Sequence, residues 1–115
     1  MHEGSGIEIE LRQHADAAIV VARGDIDMSG SPLLRENLRQ ALASRINRVV
    51  VDLGGVEYMD SSGLATLVEA LKNAKTAGTR LLLCNMRDRV RAIFEIARLD
   101  KFFTIASTQD EALSA

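Results

Sequence analysis

The chain is 115 residues long, enough for one packed core, so residues 1–115 are expected to form one domain with its core over about residues 7–113. Hydrophobic residues make up 47% and aromatics 3%, with no Trp, which makes the core one of Leu, Ile, Val and Ala. A charged fraction of 26% with a net charge of −2 argues against the concentrated basic surface of a nucleic-acid binder and against a polybasic membrane anchor.

A single cysteine, Cys84, excludes an internal disulfide framework and a multi-cysteine zinc site. The apolar runs are too short to span a bilayer. Residues 1–5 lack the basic-then-apolar pattern of a signal peptide, so the expected compartment is cytoplasmic.

Ile7, Ile9 and Leu11 alternate with Glu8, Glu10 and Arg12, the pattern of a half-buried strand. Residues 17–22 are apolar throughout and read as a more buried strand, with residues 14–16 as the hairpin turn between the two. Residues 24–30 form a loop. Ser31 followed by Pro32 resembles an N-cap with Pro in the first turn, where its missing N–H costs nothing. Leu34, Leu38, Ala41 and Leu42 then make a helical stripe.

Residues 49–53, Val-Val-Val-Asp-Leu, read as an interior strand, and a loop over residues 54–60 follows. Leu64, Leu67, Val68 and Leu71 sit at helical spacing, with Gly78 as the stop. Residues 81–84 are another apolar strand. Asn85 and Asp88 resemble a capping pair before a helix carrying Val90, Ile93, Phe94 and Ala97. Residues 102–105 suggest a last strand and residues 109–113 a short terminal helix. The order implies an α/β fold: an N-terminal β-hairpin leading into right-handed βαβ crossovers, a mixed sheet of four to five strands, and three to four packed helices.

In α/β folds, function concentrates where a strand's C-terminal end meets the next helix. Here that junction is Tyr58-Met59-Asp60-Ser61-Ser62-Gly63-Leu64. A helix start offers unpaired N–H groups and partial positive charge, so a phosphoryl group on Ser61 would be well accommodated. Gly63 brings no side chain to crowd that group or an approaching partner. The plainer reading makes one serine the N-cap, and both hold together if Ser62 caps while Ser61 faces outward. Tyr58 and Met59 either contact a partner beside the site or belong to the core.

The segment from Val49 to Leu64, with its apolar strand, loop and Asp60-Ser61-Ser62-Gly63-Leu64 helix start, resembles the signature of STAS-domain anti-sigma factor antagonists. Gly24-Asp25-Ile26-Asp27 is similar to that family's earlier acidic loop, and the likeness runs from about Ile7 to Ile105. The resemblance implies a bacterial partner-switching protein of sporulation or stress control. Its unphosphorylated form would bind an anti-sigma factor that is itself a serine kinase and so free a sigma factor. Phosphorylation of Ser61 would block binding, and a phosphoserine phosphatase would reset the switch. Asp60 and Asp27 match the acids expected beside the phosphoserine. Asp27, Tyr58, Met59, Asp60, Ser62 and Gly63 are thus the expected partner-binding residues.

Other chemistries are weaker. The Gly-x-Ser-x-Gly elbow of a serine nucleophile is absent, since Met59 stands at its first position, and the histidines are only His2 and His14. No enzyme activity, cofactor or metal is therefore expected; Asp25, Asp27 and Asp60 read as solvated loop acids rather than a cation site. Arg87, Arg89 and Arg91 form a small basic patch interrupted by Asp88, and Cys84 reads as a buried small hydrophobe. Within the same fold class, the alternatives are a regulatory subunit of an ABC-type lipid or solute transporter and a stressosome-like scaffold component. Monomer and dimer stay equally open.

Overall fold

The computed structural model describes residues 6–44 and 46–115; the signal-peptide reading of residues 1–5 and His2 falls outside them. Nine elements follow in the order β1 (Glu8–His14), β2 (Ala17–Arg23), α1 (Ser31–Ala43), β3 (Arg48–Gly55), α2 (Ser61–Ala77), β4 (Arg80–Cys84), α3 (Asp88–Ile96), β5 (Thr104–Ala106) and α4 (Gln109–Ser114). The strands form one sheet in sequence order. β1 and β2 pair antiparallel as the expected hairpin, closed by the pair His14–Ala17, and each later strand joins its predecessor in parallel. The mixed sheet and the hairpin are those the residue patterns imply.

Side-chain alternation divides the core between the two faces of the sheet. Val49, Val51 and Leu53 of β3 point to one face, where they meet Leu34 and Leu38 of α1, Leu67 and Ala70 of α2, and Val90 and Phe94 of α3. Val50 points to the other face with Ile19, Leu82 and Cys84, and this smaller cluster is closed by Ala112 of α4. β3, covered on both sides, is the apolar run that its sequence shows. β1 lies at the edge, and its burial fades from Ile7 to Leu11, which is 38% exposed. The alternation there marks a strand that the helical layer only partly reaches. No helix among the described residues is long and apolar enough to cross a membrane.

Three local expectations differ from what is observed. Ser31 is the first residue of α1 rather than its cap: Gly30 holds the cap position without a side-chain bond. The Asp27 carbonyl instead accepts the Gly30 and Ser31 N–H groups, so the chain turns before Ser31 and carries it into the helix, where it is buried. Asn85 and Asp88 form no capping pair, because Asn85 turns with φ +57 and donates its side-chain amide to Asp52 at 3.0 Å. Arg87 is the N-cap of α3 and has no side-chain cap bond. The last strand starts at Thr104, since Phe103 packs edge-on against Phe94 and Phe102 is 67% exposed.

α3 ends with Arg98 in the left-handed region at φ +60, while Leu99 N–H reaches back to the Phe94 carbonyl at 2.8 Å. Glycine occupies that position at least strain. Arg98→Gly is therefore expected to stabilise the fold by about 0.5–1 kcal/mol, the relief of left-handed strain exceeding the added freedom of the unfolded chain. A urea titration checks this: the midpoint should rise at unchanged slope, and a fall would refute the strain argument.

Candidate functional site

The site is built where two loops meet beyond the ends of β2 and β3. The parallel ladder does not stop with the strands. Gly24 N–H donates to the Gly55 carbonyl at 2.9 Å, Ile26 N–H to the Tyr58 carbonyl at 3.0 Å, and Asp60 N–H to the Ile26 carbonyl at 3.0 Å. Ile26 and Met59 thereby form a further parallel bridge, and both side chains are buried. This zip places the acidic loop of residues 24–30 alongside the start of α2.

Asp60 caps that helix. Its backbone is extended, with φ −98 and ψ −172, which turns its carboxylate onto the first turn. Oδ1 accepts the Ser62 N–H at 2.9 Å, the Gly63 N–H at 3.3 Å and the Ser62 hydroxyl at 2.6 Å. These bonds favour the ionised form. They hold the Asp60 carboxyl below the usual carboxylate range, with the Ser62 hydroxyl first among the causes and Asp27 acting weakly the other way. Asp27 forms a matching turn, accepting the Ser29 hydroxyl at 2.7 Å and the N–H groups of Ser29 and Gly30 at 3.0 and 3.2 Å. Its carboxyl is likewise lowered, mainly by the Ser29 hydroxyl.

The serine expected as a cap is thus not one: the cap is Asp60, and Ser62 is a second donor to it. Ser62 is half-buried, and its carbonyl accepts the hydroxyl of buried Thr66 at 2.8 Å. Ser61 is exposed, and no hydrogen bond engages its hydroxyl.

Two residues expected to face a partner face inward. Met59 is 1% exposed and belongs to the core, because the Ile26 bridge turns its side chain beneath the helix start. Gly63 is buried directly above it: a Cβ there would lie 2.5 Å from Met59 Cγ and 2.8 Å from Ile26 Cγ2. Glycine is required by close packing within the chain, not by room for an outside group. Tyr58, at 49% exposure, stays at the surface.

An apolar margin borders the site that the helical stripes in the sequence do not announce. Tyr58, Asp60, Ser61, Leu64, Ile93 and Ile96 line one shallow trough between α2 and α3, and Ile96 is 83% exposed. Ile96 is the last residue of α3, one turn on from Ile93 and off the line of Val90, Phe94 and Ala97; an isoleucine off the buried stripe is the signal that was available. None of the arginines of the basic patch lines the trough that holds Ser61. Arg87 donates to the Gly54 carbonyl at 2.8 Å and lies 4.0 Å from Glu57. Cys84 is fully buried, and burial pushes its thiol up to about 12. Among the described residues, no three His, Cys, Asp or Glu side chains converge as a metal-binding group.

Comparison with known proteins agrees with this geometry. The STAS domain family model matches residues 8–112. The anti-sigma-B factor antagonist of Bacillus subtilis is 32% identical over 104 residues, spanning 90% of this chain and 94% of its own. The anti-sigma F factor antagonist of Paenibacillus polymyxa is 26% identical over 109 residues, spanning 94% and 93%. Among solved structures, an anti-sigma factor antagonist from Mycobacterium paratuberculosis superposes with a TM-score of 0.86 at 26% identity, covering 94% of this chain and 92% of its own.

The packing beneath the site predicts the effect of Gly63→Ala. The helical preference for Ala is worth about 0.5–1 kcal/mol, whereas overpacking against Met59 and Ile26 costs about 1–3 kcal/mol. A net loss of about 1–2 kcal/mol is expected in thermal or urea unfolding. Met59→Ala in the same chain should return part of it, and an unchanged loss would mean that the clash lies elsewhere.

Proposed function

This chain belongs to the STAS-domain family, and from that premise we propose that it is an anti-sigma factor antagonist switched by phosphorylation of Ser61. In its unphosphorylated form it binds an anti-sigma factor that is also a serine kinase, in the cytoplasm, and so frees a sigma factor. The kinase modifies Ser61, and a phosphoserine phosphatase restores the binding form. The role is one of binding rather than catalysis, and the chain acts as one STAS unit without cofactor or metal.

The observation that carries the reading is the state of Ser61. It is an exposed hydroxyl on the first turn of a 17-residue helix, with no hydrogen bond holding it. Backbone N–H groups there favour an added anion, so the modified chain keeps its fold. A partner seated on the same surface meets something different. A phosphoserine carries about −1.5 to −2 charges and a tight hydration shell. Added beside Asp60 and Asp27 in an interface fitted to a hydroxyl, it brings repulsion and a desolvation cost. Like-charge contacts of that kind cost several kcal/mol, and about 1.4 kcal/mol is tenfold in affinity.

Asp27, Tyr58 and Asp60 supply the polar side of the contact, and Leu64, Ile93 and Ile96 the apolar side. Ser62, Met59 and Gly63 support it from below. An exposed apolar margin against an acidic, modifiable helix start is what a docking surface needs: area from one half, a switch from the other.

Tagged wild type, Ser61→Ala and Ser61→Asp, purified from the native cell, test the proposal. A serine-kinase anti-sigma factor should be retained by wild type and Ser61→Ala. Ser61→Asp should lose at least roughly a hundredfold in affinity, about 2.7 kcal/mol. Phosphate mapped on the wild type should lie on Ser61. A transporter ATPase held equally by all three would replace this reading with the regulatory-subunit one. Ile96→Glu should weaken the kinase complex about tenfold at an unchanged melting temperature, as expected for an exposed contact residue; undiminished binding would remove α3 from the interface.

A further inference from the structure

Two serines stand side by side at the start of α2, yet only one of them is chemically available. We propose that Asp60 is the residue that selects between them: by holding the Ser62 hydroxyl, it reserves Ser61 as the phosphoryl acceptor. The inference rests on the phosphoswitch just proposed and adds the determinant of its site specificity.

The transfer sets the requirement. The acceptor oxygen attacks the γ-phosphorus of ATP, the bond to the ADP oxygen breaks as the new P–O bond forms, and the hydroxyl proton leaves to a base of the kinase. An acceptor must therefore present its oxygen in line and its proton outward. Ser62 does neither. Its proton is committed to Asp60 Oδ1 at 2.6 Å, a short charge-assisted bond, and the residue is half-buried. Freeing it would break that bond and disturb the carboxylate that also receives the Ser62 and Gly63 N–H groups. Ser61, one position earlier, is exposed, its hydroxyl makes no hydrogen bond, and it meets neither restraint. Asp60 touches no reacting atom in this scheme; it is a positioning residue.

A kinase-free arm tests the inequality directly. Ser61→Cys and Ser62→Cys place a thiol at each position, and Cys84 stays silent because it is fully buried with its thiol pushed up to about 12. Alkylation by iodoacetamide at neutral pH should be at least about tenfold faster at position 61 than at 62, since exposure and thiolate character set the rate. Adding Asp60→Ala to Ser62→Cys should close most of that gap. Equal rates in the two single variants would overturn the inference whatever any kinase does.

A second arm uses the serine kinase recovered with the wild-type chain. Phosphate should appear on Ser61 alone in the wild type and in Asp60→Asn, which keeps an acceptor oxygen at the cap. It should divide between Ser61 and Ser62 in Asp60→Ala, with a melting curve confirming that this variant is folded. Phosphate still confined to Ser61 in folded Asp60→Ala would assign the choice to the kinase and overturn the inference. If Asp60→Ala does not fold, phosphate on Ser62 of Asp60→Asn would overturn it, and the thiol comparison without Asp60→Ala decides the rest. A chain that no kinase modifies, with thiols still unequal, would discard the phosphoswitch while keeping the inequality.

Discussion

The site depends on a short backbone zip. Three hydrogen bonds, from Gly24 to Gly55, from Ile26 to Tyr58 and from Asp60 to Ile26, prolong the pairing of β2 and β3 into segments that are otherwise loops. Their consequence is positional. They fix Asp60 in extended conformation at the base of α2, set Ile26 and Met59 under the first helical turn, and bring the Asp27 turn alongside. Gly63 then fits only because it lacks a Cβ, with Met59 and Ile26 directly beneath. These loops are anchored by paired backbone groups and by the buried side chains of Ile26, Val56 and Met59, whereas ordinary surface loops lack such anchors.

The far face of the sheet secures the same region from behind. Asp52, near the end of β3, is buried and takes three hydrogen bonds: from the Gly54 N–H at 2.9 Å, from Asn85 at 3.0 Å and from Gln109 at 2.9 Å. A buried carboxylate is costly unless its oxygens are satisfied, and these bonds satisfy it. They tie the β3 exit, the β4 exit and the start of α4 to one side chain. Arg48 reaches the other end of α4 through the Leu113 and Ala115 carbonyls. A six-residue helix has little stability of its own. It is held against the sheet by side chains at both ends and by Ala112 in the smaller core.

Much of this was legible in the residues, for a physical reason: burial imposes periodicity. Val49 to Leu53 announces a strand covered on both faces, and the Leu34–Leu38–Ala41 stripe announces a helix on one. What stayed hidden were choices among neighbours with equal local credentials. Asp60, Ser61 and Ser62 are all good N-cap residues, and the decision fell to the backbone angles at Asp60, which tertiary pairing with Ile26 imposes. Ser31 lost its expected role because the Asp27 turn had already begun the helix one residue earlier. Asn85 was drawn away from Asp88 by a buried carboxylate more than thirty positions distant in the chain. Met59 is polar-flanked in sequence yet core in space, since an isolated bridge leaves no periodic trace. Local pattern fixes which elements form; long-range bonds fix what their ends do.

The same division explains how a charge could switch binding without refolding the chain. The groups that determine the fold around α2 are buried or paired: Met59, Ile26, Gly63, and the Ser62 hydroxyl on Asp60. The group that the proposed switch changes is the exposed neighbour, which supports none of them. A phosphate on Ser61 would face a helix start able to offset part of its charge, so its cost to the fold is small. In the proposed interface its cost to a docked partner would be large, because the same charge would be desolvated beside Asp60 and Asp27. A site in which the fixed residues and the modifiable one do not overlap can be altered repeatedly at little risk to the structure beneath it. Here one carboxylate, by holding Ser62 and leaving Ser61 free, draws that boundary between adjacent residues.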